Sequence, residues 1–168
     1  MHRSLVGTLL LVLTIGPVAA QQGPPPCSAP EYRQFDFWAG SWAVVNPQGV
    51  QVGSNTITPV LGGCALHEQW QSAGAHAGFS YNIYDRASKR WHQTWVDNSG
   101  LLLLLDGTLS DGSMVLTGPS TDRQGREVRN RITWTPITAD SVRQLWETSV
   151  DSGATWGTVF DGRYVRRK

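Results

Sequence analysis

The sequence predicts an all-β fold: an antiparallel, up-and-down barrel of about ten strands. Three observations carry this. Hairpin punctuation recurs along the chain as "NPQG", "DRASK", "DNSG", "SDGS", "DRQG", "TADS" and "DSGA". The segments between these turns have strand length, and no window beyond Val45 carries helical periodicity. A meander of so many strands avoids open edges by closing on itself.

Taken in order, the chain opens with "MHRSLVGTLLLVLTIGPVAAQQ". Arg3 supplies a positive start, Leu5 to Ile15 an apolar run, and Val18-Ala19-Ala20 a small-residue cleavage site, so residues 1–20 read as a secretory signal peptide. The run is too short and wrongly flanked for a spanning helix. The expected location is the periplasm or the extracellular space, with no membrane span. Residues 21–34 form a Pro-rich lead-in, "QQGPPPCSAP", which cannot join a sheet ladder. A short helical turn is expected over "PEYRQFDFW". The barrel domain then occupies 35–168. Its strands are expected near Ser41–Val45, Gln51–Val60, Cys64–Gln71, Phe79–Asp85, Arg90–Val96, Leu101–Asp106, Met114–Gly118, Arg126–Pro136, Val142–Val150 and Thr155–Val165.

Removing the leader leaves about 150 residues, enough for one domain with a real core. Without Arg3 the basic and acidic side chains balance at 13 each, and only the tail "RYVRRK" is cationic. Nucleic acid is therefore not an expected partner. Cys27 and Cys64 both remain after processing and are expected to pair in an oxidising compartment.

"SVDSGATW", Ser149 to Trp156, resembles the Asp-box of sialidase propellers. A propeller needs several blades of roughly 40–50 residues, and the sequence holds one such box, so the length excludes it. The motif reads instead as the hairpin between the last two strands. Asp151 accepts hydrogen bonds from turn N–H groups, Gly153 relieves the backbone, and Trp156 packs beneath as a core residue with Trp38 and Trp42.

A wider pattern joins "FDFWAGSW", "GGCALHEQW", "GFSYNIYD", "RWHQTWVD" and "VRQLWETSVDSGATWGTVFDGRYVR". It resembles a family of secreted bacterial proteins of unknown function grouped with the lipocalin-like, or calycin, barrels, over nearly the whole mature chain. The resemblance implies a calycin-like barrel with a tryptophan plugging its closed end, and it brings no established catalytic residues. Haem-binding barrels of this class use a histidine late in the chain, and none follows His92. No cofactor is expected.

Alternation places candidate residues on faces. If the tryptophans line the interior, Glu68 and Trp70 share one inward face and Gln93 and Trp95 another, while His67 and His92 point out. Parity stays open for three strands: Phe79, Tyr81 and Ile83 or Ser80, Asn82 and Tyr84 face in; Arg131 or Asn130 with Trp134; and Gln144 with Trp146 or Arg143 with Glu147. Three mature histidines without a C-x-x-C or H-x-x-x-H pattern predict no metal site. "GFSYN" misses the nucleophile elbow. Glu68 and Glu147 facing each other would suit acid/base work.

Eight tryptophans are a heavy load for this length. With Trp70 and Trp95 as walls, the polar candidates Glu68, Asn82, Gln93, Arg131, Gln144 and Glu147 complete a pocket for a small apolar or amphipathic ligand. Arg131 is the expected answer to Glu68, with Arg143 in reserve. Two alternatives stand beside this reading: an isomerase or hydrolase working through Glu68, and an envelope interaction protein with a filled barrel. Finally, "GLLLLLDG" puts leucines on both faces of one strand. The outer ones need cover, either from the N-terminal segment or from a homodimer through Leu101–Leu105.

Overall fold

A computed structural model describes residues 23–122 and 124–168. The expected signal peptide, 1–20, lies outside the described residues. Ten strands follow one another: β1 (Gly40–Val45), β2 (Gln51–Val60), β3 (Ala65–Ser72), β4 (Ala77–Asp85), β5 (Arg90–Asp97), β6 (Leu102–Ser110), β7 (Ser113–Thr121), β8 (Glu127–Thr138), β9 (Ser141–Ser149) and β10 (Gly157–Arg166). Each pairs antiparallel with its sequence neighbours, and β1 pairs with β10 from Trp42↔Arg166 to Val45↔Arg163. The sheet is a closed up-and-down barrel, so no strand keeps a free edge.

The expected helical turn is present as two short 3-10 turns, Pro30–Arg33 and Asp36–Trp38. They carry Phe35 and Trp38 under one end of the barrel, where both are fully buried with Trp42, Trp91 and Trp134. Phe35 stacks on Trp38 at 4.9 Å and meets the edges of Trp134 and Trp91 at 5.2 and 5.6 Å. Such offset and edge-on pairs contribute beyond the area they bury. The Trp42 indole N–H donates to the Trp38 carbonyl at 2.9 Å, and the Arg166 guanidinium lies 4.2 Å over the Trp42 ring. This end of the barrel is plugged.

Cys27 and Cys64 form a disulfide that staples the Pro-rich lead-in to the chain just before β3. Tyr32 then packs edge-on against Tyr84, and Gln34 accepts from the Trp91 indole. The described lead-in therefore covers the plugged end and leaves the outer face of β6 bare. That corrects the expectation of an N-terminal cover: Leu103 and Leu105 point into the core, while Leu102 and Leu104 are 53% and 48% exposed. No described helix is long and apolar enough to cross a membrane.

The β9–β10 hairpin is built as the Asp-box predicts. Asp151 accepts from the Thr155 backbone N–H at 2.9 Å and from the Ser149 and Thr155 hydroxyls. These bonds to the ionised form hold its carboxyl far below the usual range. Gly153 takes a left-handed φ of 96°. Trp156, however, is not a core residue. It lies on the outer wall, its indole N–H donating to the Gly153 carbonyl and the Arg131 guanidinium stacked 4.0 Å over its ring.

Candidate functional site

Alternation along each strand decides which side chains enter the lumen. β3 sends in Leu66 and Glu68, β4 Ser80 and Asn82, and β5 Trp91 and Gln93. Near the plugged end the lumen is solid with aromatic and aliphatic side chains. Toward the other end it opens into a cavity of about 190 Å³. Trp70, Trp95, Trp146 and Phe160 line its walls, Leu103 and Ile132 add apolar surface, and Glu68, Gln93, Gln144 and Tyr164 supply polar groups. His76 and Val159 line it from the hairpins at the open end.

Glycines make room for the walls. A Cβ on Gly53 would stand 2.6 Å from Trp70 Cη2, and one on Gly162 would stand 2.6 Å from Phe160 Cζ. Gly78 bears the same relation to Trp95. Each large ring lies across a bare stretch of backbone on a neighbouring strand or its own, and the lumen stays open beside it. Two indoles are also tied down: Trp95 donates to Asp97 Oδ2 and Trp146 to Asn130 Oδ1, both at 3.1 Å.

The polar side is one connected arc. Asn55 Nδ2 donates to Glu68 Oε1, and Ser80 Oγ donates to Glu68 Oε2, each at 2.6 Å. Ser80 Oγ in turn accepts from Asn82 and Gln93, which uses its full bonding capacity. Gln93 also donates to Asn82 Oδ1 at 2.9 Å. On the other side Asn55 donates to the Tyr164 hydroxyl, which donates to Gln144 Oε1. Asn55 Oδ1 is buried without a protein partner.

Glu68 sits in the middle of this arc at 3% exposure. Burial pushes its carboxyl up to about 7, against the opposing pull of the Ser80 and Asn55 hydrogen bonds. Tyr164 is raised well above its ordinary value, first by burial and then by the charge of Glu68, so it stays a neutral donor. Near the open end Asp97 takes the opposite course. Burial raises it, but hydrogen bonds from Ser99, Trp95 and His76 outweigh that and hold it at about 2. Its carboxylate lies 3.1 Å from His76 Nε2.

Five expected site residues therefore line the cavity: Glu68, Trp70, Gln93, Trp95 and Gln144. Asn82 stands just behind them, fully buried and bonded to Ser80 and Gln93. Arg131 and Glu147 do not belong to the site. On β8 the inward residues are Asn130, Ile132 and Trp134, and on β9 they are Gln144 and Trp146, which puts Arg131 and Glu147 on the outer wall. There they pair with each other at 2.9 Å. The expected Glu68–Arg131 pair is absent, and among the described residues that line the cavity there is no second carboxyl.

Sequence reasoning held Ser80 only as one of two alternatives and passed over Asn55, Phe160, Tyr164 and His76. Ser80 and Asn55 share strand parity with Asn82 and Ile57, which is a usable signal. A bulge in β10 between Thr158 and Phe160 hides the parity of the last strand. His67 and His92 do face outward: His67 stacks on Tyr81 at 4.8 Å, and His92 bonds Asp106 and Thr94. Among the described residues no three His, Cys, Asp or Glu side chains are grouped to hold a metal ion. No protein-family model matches the chain, and no curated protein matches it.

Proposed function

We propose that this barrel binds a small apolar or amphipathic molecule in the open half of its lumen, in the periplasm or outside the cell. The observation that carries the reading is the cavity itself: aromatic walls, a few convergent polar groups and one plugged end. The Cys27–Cys64 disulfide and the leader read from residues 1–20 support the compartment. The likeness of "FDFWAGSW" and the later motifs to a secreted calycin-like family of unknown function agrees with the barrel and with the compartment. Small molecules that co-purify with the mature protein, identified by untargeted mass spectrometry, test it together with tryptophan emission during titration. No co-purifying compound and an emission that no candidate ligand moves would remove the reading.

A second reading has one specific support. Glu68, poised near neutrality in a cavity, suits a general acid or base. Turnover that Glu68→Gln abolishes while binding persists would favour an isomerase or hydrolase. Catalysis by a facing pair of carboxyls is set aside, because Glu147 is on the outer wall. The cavity also weighs against a filled barrel that acts only through its surface. A second copy would pack on the exposed Leu102 and Leu104, and sedimentation showing a strict monomer would exclude that dimer.

A further inference from the structure

Among the described residues, the buried carboxyl of Glu68 has no cationic partner. Glu68 lines the cavity, and the partners of its two carboxyl oxygens, Asn55 and Ser80, are neutral. From β5, β9 and β10 it is flanked by Gln93, Gln144 and the phenol of Tyr164. Of these groups only the phenol titrates, and its neutral form is the favoured one. The arginines of β5, β8, β9 and β10 lie elsewhere: Arg90, Arg129 and Arg163 are exposed, Arg131 pairs with Glu147, Arg143 with Asp161, and Arg166 lies over Trp42. Among the described residues the other carboxylate beside the cavity is Asp97, bonded to the wall indole of Trp95 near the open end. The basic side chain that reaches the cavity, His76, is engaged by that same Asp97.

We infer that the ligand is a small organic monocation, an ammonium on an apolar body, whose charge sits against Glu68 and whose body lies between Trp70, Trp95, Trp146 and Phe160. The inference rests on the ligand-binding reading above and narrows its chemistry. An uncompensated carboxylate in a low-dielectric lumen attracts a cation far more strongly than it would in water. Electron-rich ring faces add to that attraction and give an anion nothing. The volume agrees: about 190 Å³ exceeds the apolar cavity of about 150 Å³ that takes benzene, so a ring with a short ammonium arm fits.

The binding event also settles the protonation of Glu68. The carboxyl is poised near neutrality, so a cation draws it to its ionised form and the free protein must release a proton at mildly acidic pH. Cation affinity therefore falls as pH drops from about 8 to about 5.5, whereas a neutral ligand of the same shape shows no such fall.

Three probes of one shape test this by calorimetry and tryptophan emission on the mature protein: 2-phenylethylammonium, 2-phenylethanol and phenylacetate. The ammonium is expected to bind at least about tenfold tighter than the alcohol at pH about 8, and the carboxylate not measurably. Glu68→Gln should erase the ammonium-over-alcohol preference, and Arg131→Ala on the outer wall should keep it. If Glu68→Gln does not fold, the loss of preference at low pH in the unaltered protein is the deciding measurement. An alcohol that binds as well as the ammonium, or a preference that survives both Glu68→Gln and low pH, overturns the cation while leaving the cavity reading intact. Silence from all three probes, with no emission change, overturns the cavity reading and the cation with it.

Discussion

Gly78 and Trp95 share one volume: a Cβ on Gly78 would stand 2.4 Å from Trp95 Cζ2. Gly78→Ala must therefore push the indole off its wall and into the lumen, straining its bond to Asp97. We expect a loss of about 1–3 kcal/mol in stability, as for other overpacked cores, together with a smaller cavity and weaker ligand binding. Urea denaturation and ligand titration on the same variant check both effects. Unchanged binding would mean that the ring finds room elsewhere.

Trp95→Ala removes a wall outright. Affinity should fall by about 1–3 kcal/mol through lost apolar contact. His92→Ala and Arg131→Ala, both on the outer wall, should leave affinity as it is. A drop in either would place the ligand outside the barrel.

The raised carboxyl of Glu68 has a definite signature in stability. Its folded value, about 7, exceeds its ordinary value of 4.5, so the folded chain holds a proton that the unfolded chain has released between those limits. Its contribution is present below about pH 4.5 and is lost as pH climbs through about 7, by roughly 3 kcal/mol in all. Denaturation midpoints of the natural chain and Glu68→Gln across this window should differ in slope, with the variant flatter. Parallel slopes would show that Glu68 titrates normally.

The Cys27–Cys64 bridge closes a loop with a sequence separation of 37. On the chain-entropy model its loss costs about 4 kcal/mol. The double Cys→Ser variant should unfold at distinctly lower urea and keep its barrel circular dichroism. An unchanged midpoint would show that the Pro-rich lead-in is held by Tyr32 and Phe35 alone.

Asp151→Ala should lower the thermal midpoint at neutral pH and leave ligand affinity unchanged, because its bonds all lie within the β9–β10 hairpin. Since its carboxyl is held low in the folded state, this stabilisation is present above its ordinary value and fades as pH falls. A variant that loses binding would tie the hairpin to the cavity mouth.

The barrel was legible in the sequence because turns are local. "DSGA" and "NPQG" each specify a hairpin without reference to anything distant, and a run of hairpins leaves few topologies. The faces of β3 and β5 were equally legible, since Glu68 with Trp70 and Gln93 with Trp95 alternate without interruption. β8 and β9 were not. "RNRITW" and "VRQLWE" alternate large residues on both faces, because an outer wall that carries Arg131, Glu147 and Trp156 looks like an inner one. Outer cation stacking and inner aromatic packing draw on the same residue types. The Gly–Trp complementarity was invisible for another reason: Gly53 and Trp70 meet across strands, and only register brings them together.

The hydrogen bond from Asn55 to Tyr164 joins groups 109 residues apart and reaches over β1 from the second strand to the last. A chain that emerges N-terminus first must hold β1 with one bare edge until the ten residues of β10 arrive. Folding is thus a race between closure and misassociation, and its pace is set by the longest-range contacts in the molecule. Loss of β10 as a whole, which carries Tyr164 onto Val44 and Arg166 onto Trp42, would leave an adhesive ribbon in place of a closed cylinder.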